Sequence, residues 1–146
     1  MARFMPRLCA VPSQAPRPIA EREPVVTRLV LVVCSDDQRL PARQAVVRRA
    51  GLKALPASSM ARALFLLGKV RPDLVLVDAE LADGRALALI HAMRGVAALE
   101  QVRVIVLGAV TAEEHRDLAR DPLVHVRKVA DDGAIGALLE AFLGRT

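Results

Sequence analysis

The stretch LVLVVCSDDQ, residues 29–38, decides how the chain is read. A run of Leu and Val leads straight into Cys34, Ser35, Asp36 and Asp37. A short, continuous, β-branched apolar run is the signature of a parallel strand buried on both faces. The carboxylates at its end either hold a cation or start the next helix. Two further runs of the same kind follow, DLVLVD at 73–78 and VRVIVLG at 102–108. LKAL (52–55) and LVHV (123–126) are shorter strand candidates.

Helical spacing separates these strands. RLPARQAVVRRAG (39–51) carries Pro41 near its first turn and Gly51 just past its end. SSMARALFLLGKV (58–70) has Ser58 or Ser59 as cap. GRALALIHAMRG (84–95) is closed by Gly95. TAEEHRDLAR (111–120) opens with a capping box, Thr111 with Glu114. DDGAIGALLEAFLG (131–144) is amphipathic, with Asp131 and Asp132 as helix-start residues. Strand and helix thus alternate five times. Short connections between them imply a parallel sheet with helices on both faces, a doubly wound, flavodoxin-like α/β sandwich of strand order 2-1-3-4-5.

Composition sets the limits. The 146 residues suit one domain, and a 53% hydrophobic content supports a core without disulfide or metal staples. With three Phe, no Tyr and no Trp, the core is aliphatic and base-stacking platforms are excluded. The formal charge is +5, yet basic residues such as Arg48, Arg49, Lys53, Lys69, Arg71, Arg85, Arg94, Arg103, Arg116 and Arg120 look scattered, so nucleic acid is not the expected partner. Cys9 and Cys34 form neither a disulfide framework nor a zinc spacing, and a reduced, cytoplasmic setting is expected. No apolar run approaches the roughly 18 residues of a membrane span. Residues 1–26, rich in Pro and Arg, are read as a disordered tail, and 27–146 as the domain.

In the doubly wound order, ligands bind at the carboxyl ends of the strands, beside strand one. Asp36 and Asp37 follow that strand and Asp78 ends the third, so the carboxylates share one edge. A hard cation such as Mg²⁺ would relieve their repulsion. A carboxylate beside a cation is also a nucleophile for phosphorus, and a Lys such as Lys128 after strand five would neutralise phosphoryl oxygens.

RPDLVLVDAEL (71–81), SSMARALFLL, VRVIVLGAV and Lys128, in this order and spacing, resemble the two-component response-regulator receiver domain, CheY-like, over residues 27–146. The resemblance implies Asp78 as phosphoacceptor and Lys128 as phosphoryl contact. It implies Mg²⁺ on Asp36, Asp37, Asp78 and the backbone carbonyl of Glu80. Partners would be a histidine kinase or another signalling protein, with a homodimer through the helix 4–strand 5–helix 5 face, HRDLARDPLVHVRKV. No catalytic turnover is expected.

Several positions depart from the family pattern. Counting back from Gly51 without gaps aligns Cys34 and Ser35 with the family's acidic pair; an extended first strand would restore Asp36 and Asp37. Pro41 favours the extension slightly, and both registers stay open. Gly108 stands where a Thr or Ser hydroxyl would bond the phosphoryl group. His125 stands at the aromatic switch position, and Val129 replaces the Pro after the Lys. Cys34 is expected to be a small buried hydrophobe, and His91 and His115 surface residues. The degenerate form, a pseudo-receiver without an output domain acting through protein contacts, is favoured over a working phosphoacceptor. A small flavodoxin-like ligand-binding module or enzyme is the alternative, disfavoured because no glycine-rich phosphate loop follows strand one.

Overall fold

The computed structural model describes residues 28–128 and 131–142. The expected tail and Val129 lie outside the described residues. The chain runs β1 (Leu29–Val33), α1 (Arg39–Arg49), β2 (Lys53–Ala57), α2 (Met60–Leu67), β3 (Leu74–Asp78), β4 (Glu80–Leu81), β5 (Gly84–Arg85), α3 (Ala86–Arg94), β6 (Arg103–Leu107), α4 (Ala112–Leu118), β7 (Val124–Arg127) and α5 (Asp132–Phe142). A 3-10 turn, Ala97–Leu99, links α3 to β6.

The main sheet has five strands in the order β2-β1-β3-β6-β7, all paired in parallel. This is the expected doubly wound order. Because β1, β3 and β6 are apolar on both sides, the sheet feeds two cores. Leu31, Val33, Val75, Val77, Val104 and Val106 point to one side with Leu67, Leu89 and Met93 of the helices. Val30, Val32, Leu74, Leu76, Ile105 and Leu107 point to the other, where Val46, Val47, Ile135 and Leu139 cover them. Burying a side chain of this size contributes about 1.5–3 kcal/mol, so the three central strands supply most of the folding drive.

Local signals act as expected at most boundaries. Ser59 Oγ accepts from the Arg62 N–H at 3.0 Å, capping α2. Thr111 and Glu114 form the complete capping box. The Asp131 carboxylate accepts from the Ala134 N–H at 2.7 Å at the start of α5. Gly51 ends α1 with φ of +85°, a left-handed conformation that favours glycine.

Two features differ from the sequence reading. The second strand extends to Ala57 through Pro56, tolerated because β2 is an edge strand. The loop after β3 is a small antiparallel hairpin, β4 with β5, fastened to α2 by Asp83, whose carboxylate accepts from the Met60 and Ala61 N–H groups at 2.8 and 3.0 Å.

Candidate functional site

Asp78 is the last residue of the central strand β3 and is 7% exposed. Beside it β1 stops at Val33, so the strand is not extended. Cys34 and Ser35 therefore stand at the rim, as in the gapless register. Cys34 is fully buried, as expected. Burial pushes its thiol above the usual range, and the neighbouring Asp78 carboxylate adds to the shift. Ser35 Oγ accepts from the Ala82 N–H at 2.9 Å, joining the end of β1 to the hairpin.

The structure does not bring Asp36 and Asp37 to Asp78. The Asp36 carboxylate turns back onto its own helix and accepts from the Gln38 and Arg39 N–H groups at 2.8 and 3.0 Å. Those backbone bonds, that of Arg39 first, hold its carboxyl below the usual carboxylate range. The orphan donors of a helix start are a strong attraction for a carboxylate two or three residues upstream. Asp37 is exposed. The Glu80 side chain is also turned to solvent, 3.9 Å from Arg85.

The group that meets Asp78 is Arg43, which the sequence reading did not single out. Its guanidinium makes a buried ion pair and hydrogen bond with the Asp78 carboxylate, and Arg43 is only 3% exposed. Helix α1 presents Arg43, Val46 and Val47 to the sheet. Their i, i+3, i+4 spacing, with Leu40 one turn earlier, is the legible signal: a single Arg interrupts an apolar stripe. A charge on such a stripe demands a partner across the interface. Asp78 is the buried acid opposite it.

Around this pair lies a cavity of about 510 Å³, bordered by Arg39, Arg43, Asp78, Gly108 and Lys128. Lys128 thus lines the same cavity as Asp78. It makes no ion pair with another described residue. Gly108 has φ of +117°, and a Cβ there would meet Ala79 Cβ at 3.5 Å. Its glycine thus serves a backbone conformation that a Thr or Ser would adopt only under strain. His125 is exposed on the edge strand β7. His91 and His115 are exposed on helices, His91 Nε2 lying 3.1 Å from Asp117.

The residues at the rim do not fit Mg²⁺. A hard divalent cation needs several oxygen ligands. Here a thiol and a hydroxyl occupy the first two rim positions, Asp36 is committed to α1, and a guanidinium neutralises Asp78. Among the described residues no group of three or more acid, His or Cys side chains is placed to hold a metal. What the arrangement can do is hold Asp78 neutralised and immobile, in a cleft also bordered by Arg39, Lys128 and Glu80.

A second ion pair braces the rim. Arg85 donates to Glu114 of α4 at 2.7 and 3.0 Å and to the Ala109 carbonyl at 3.3 Å. The guanidinium and the capping-box N–H of Thr111 lower the Glu114 carboxyl from 4.5 to about 2. A depressed carboxyl contributes stability that is complete above about pH 4.5 and is lost as pH falls through about 2. Glu114→Gln is therefore expected to lower stability at about pH 6 and to lose that handicap as pH falls toward about 2. Urea melts across this range check it; a gap independent of pH would remove the pair from the acid response.

No protein-family model matches the sequence, and no curated protein matches it. Solved structures do. A response regulator receiver protein from Pseudomonas putida superposes with a TM-score of 0.70 at 22% identity, covering 80% of this chain and 98% of that one. A CheY-like receiver domain protein from Methanospirillum hungatei JF-1 gives 0.71 at 16% identity, covering 81% and 94%. The signal receiver domain of a histidine kinase from Syntrophus aciditrophicus gives 0.66 at 19%, covering 82% and 95%. At these identities the likeness is one of fold: the chain has the five-stranded, doubly wound architecture of CheY-like receiver domains, over nearly the full length of each.

Proposed function

We propose that the chain is a pseudo-receiver: a receiver-like module of two-component signalling that acts through protein contacts, without turnover and without phosphoryl transfer to Asp78. The observation that carries this reading is the Arg43–Asp78 pair. An aspartyl nucleophile needs a free carboxylate oxygen, a divalent cation on the other side, and donors for the three phosphoryl oxygens. Here the guanidinium holds the carboxylate, Asp36 after β1 directs its carboxylate at its own helix and not at Asp78, and Gly108 supplies no hydroxyl. Lys128 keeps its place at the cleft, and with Asp78 it is what favours a phosphoacceptor as second reading.

The partner is proposed to be a histidine kinase or another signalling protein. The large apolar side chains exposed among the described residues are Leu64 and Phe65 of α2, Val70 just beyond it, and Val96 after α3. None of these four lies on α4 or β7 of the face expected to hold a homodimer, where His115, Arg116 and Arg120 are exposed. No helix among the described residues is long and apolar enough to cross a membrane.

Incubation with acetyl phosphate and Mg²⁺, followed by intact-mass measurement, tests the reading. The expected result is an unchanged mass. A phosphoryl adduct that disappears in Asp78→Ala would instead establish the phosphoacceptor.

A further inference from the structure

The outer side of α2 carries an aromatic residue that the core does not use. The chain has three Phe and no Tyr or Trp, yet Phe65 stands 53% exposed on this helix. Leu64 beside it and Val70 just beyond the helix are exposed too. The helix is anchored through Ala63 and Leu67, both buried in the core. Phe65 is two positions from each, about 200° around the helix, and so faces away from the sheet. Ala61 and Gly68, one turn to either side of it, are exposed and small, which leaves the ring standing as a knob on this face.

Two cations gather at the same ring. Arg62 Cζ lies 5.0 Å from the ring centroid and Lys69 Nζ 5.3 Å. Attraction to an aromatic face reaches to about 6 Å, so both charges are held over Phe65. Neither pairs with a carboxylate among the described residues. Residues 58–72 contain no Asp or Glu. Asp83, the acid that reaches this helix, commits both carboxylate oxygens to the Met60 and Ala61 N–H groups. The exposed face of α2 is therefore apolar at its centre and positive around it. An apolar patch framed by one sign of charge complements a partner of the opposite sign.

We propose that the outer face of α2 docks an acidic amphipathic helix of a partner protein. The partner's apolar side would lie against Leu64 and Phe65, and its carboxylates against Arg62 and Lys69. Aromatic and Arg side chains are the commonest anchors of protein interfaces. An amphipathic helix sets apolar residues three and four apart with charges alongside, which matches the 62, 65, 69 spacing on α2. Charge decides against the other occupants. A second copy would set the Arg62 and Lys69 of each chain against those of the other. Residues 1–26 carry four Arg and two Glu, and so repel this face on balance. A nucleic-acid base would need the ring surface that the two cations cover. The inference rests on the reading that the chain acts through protein contacts, and is independent of whether Asp78 accepts a phosphoryl group.

The test is titration of the full chain with a stapled synthetic helix of about 15 residues, long enough to hold its form. It is built of Leu, Ala and Glu, with Leu on one side and Glu flanking it, and amide NMR follows the binding. Saturable binding is expected, with the largest shifts in residues 60–70. Phe65→Ala should weaken it about tenfold or more, since the central anchor is lost. Arg62→Gln with Lys69→Gln should weaken it by a similar factor and flatten its salt dependence. These side chains are exposed, so the variants should keep the parent's fold and NMR spectrum elsewhere. Arg62→Glu with Lys69→Glu should release the acidic helix and take up the same helix with Lys in place of Glu. Absence of binding at millimolar peptide would overturn the proposal, as would equal binding of the Lys helix to the parent chain. So would a parent chain that dimerises through Phe65, or phosphatidylserine vesicles that bind through Phe65 and exclude the peptide. Shifts confined to α4 and β7 would overturn it while leaving the reading of a protein-contact module in place, and the acetyl phosphate measurement tests Asp78 separately.

Discussion

Arg43→Ala is expected to cost about 3–5 kcal/mol of folding stability, because it leaves the Asp78 carboxylate buried without its partner. Domains of this size are stable by about 5–15 kcal/mol, so the variant should sit near the edge of folding. Asp78→Ala should be comparably damaging, since it strands a guanidinium that is 3% exposed. Removing both charges together has a different outcome. Arg43→Met combined with Asp78→Leu fills the same space with apolar atoms, and such replacements are commonly neutral or stabilising by about 1–4 kcal/mol. The double-mutant cycle therefore separates the cost of breaking the pair from its net worth. Arg43→Lys should not rescue, because an ammonium lacks the planar fork that meets a carboxylate. Lys128→Ala, exposed and without an ion pair among the described residues, should stay within about 0.5 kcal/mol of the parent chain. Chemical melts of these variants check the set. An Arg43→Ala chain as stable as the parent would show that water, and not the guanidinium, supports Asp78.

The pair also accounts for two departures that look unrelated in the sequence. With a permanent cation supplied by α1, acidic residues directly after β1 would have nothing further to neutralise. Cys34 can then be a small core residue, and Ser35 can serve as a staple to the hairpin through Ala82. Asp36 is left to cap α1 through backbone bonds. The rim thus carries its cation on α1, as the Arg43 guanidinium beside Asp78.

The fold was legible because it is carried by periodicity. Three β-branched runs and the helical patterns between them allow few arrangements, and connection rules select one of them. The site was legible in part. Asp78 and Lys128 follow from where strands three and five end, and both line the cleft. Spacing does not decide the rim after β1, because two residues of register separate a carboxylate that caps a helix from one that faces the cleft. That choice depends on a competition between helix-start N–H donors and a distant charge, which spacing does not show. Arg43 is hard to read from the sequence for a related reason. Arginine on a helix is most often solvated, and only its position between Leu40 and Val46–Val47 on the buried stripe marks it as different.

If the internal cation is what excludes an external one, exchanging the two should restore metal binding. Cys34→Asp with Arg43→Ala removes the guanidinium and puts a second carboxylate at the rim beside Asp78. Two carboxylates in a partly buried cleft repel each other, so without metal the variant should be less stable than the parent. Adding a divalent cation reverses this, since it binds the folded form alone. For a dissociation constant near a millimolar, about 10 mM Mg²⁺ would stabilise the variant by about 1.4 kcal/mol. In a domain of about 100 residues, that corresponds to a rise in Tm of about 6–11 °C. The parent chain should show no comparable rise, because its Asp78 is already paired and its rim offers a thiol and a hydroxyl. Potassium at matched ionic strength controls for screening, which would act on both chains alike. Thermal melts with and without Mg²⁺ read the difference directly. Equal responses in the two chains would mean that the Arg43 guanidinium does not govern cation binding at the cleft.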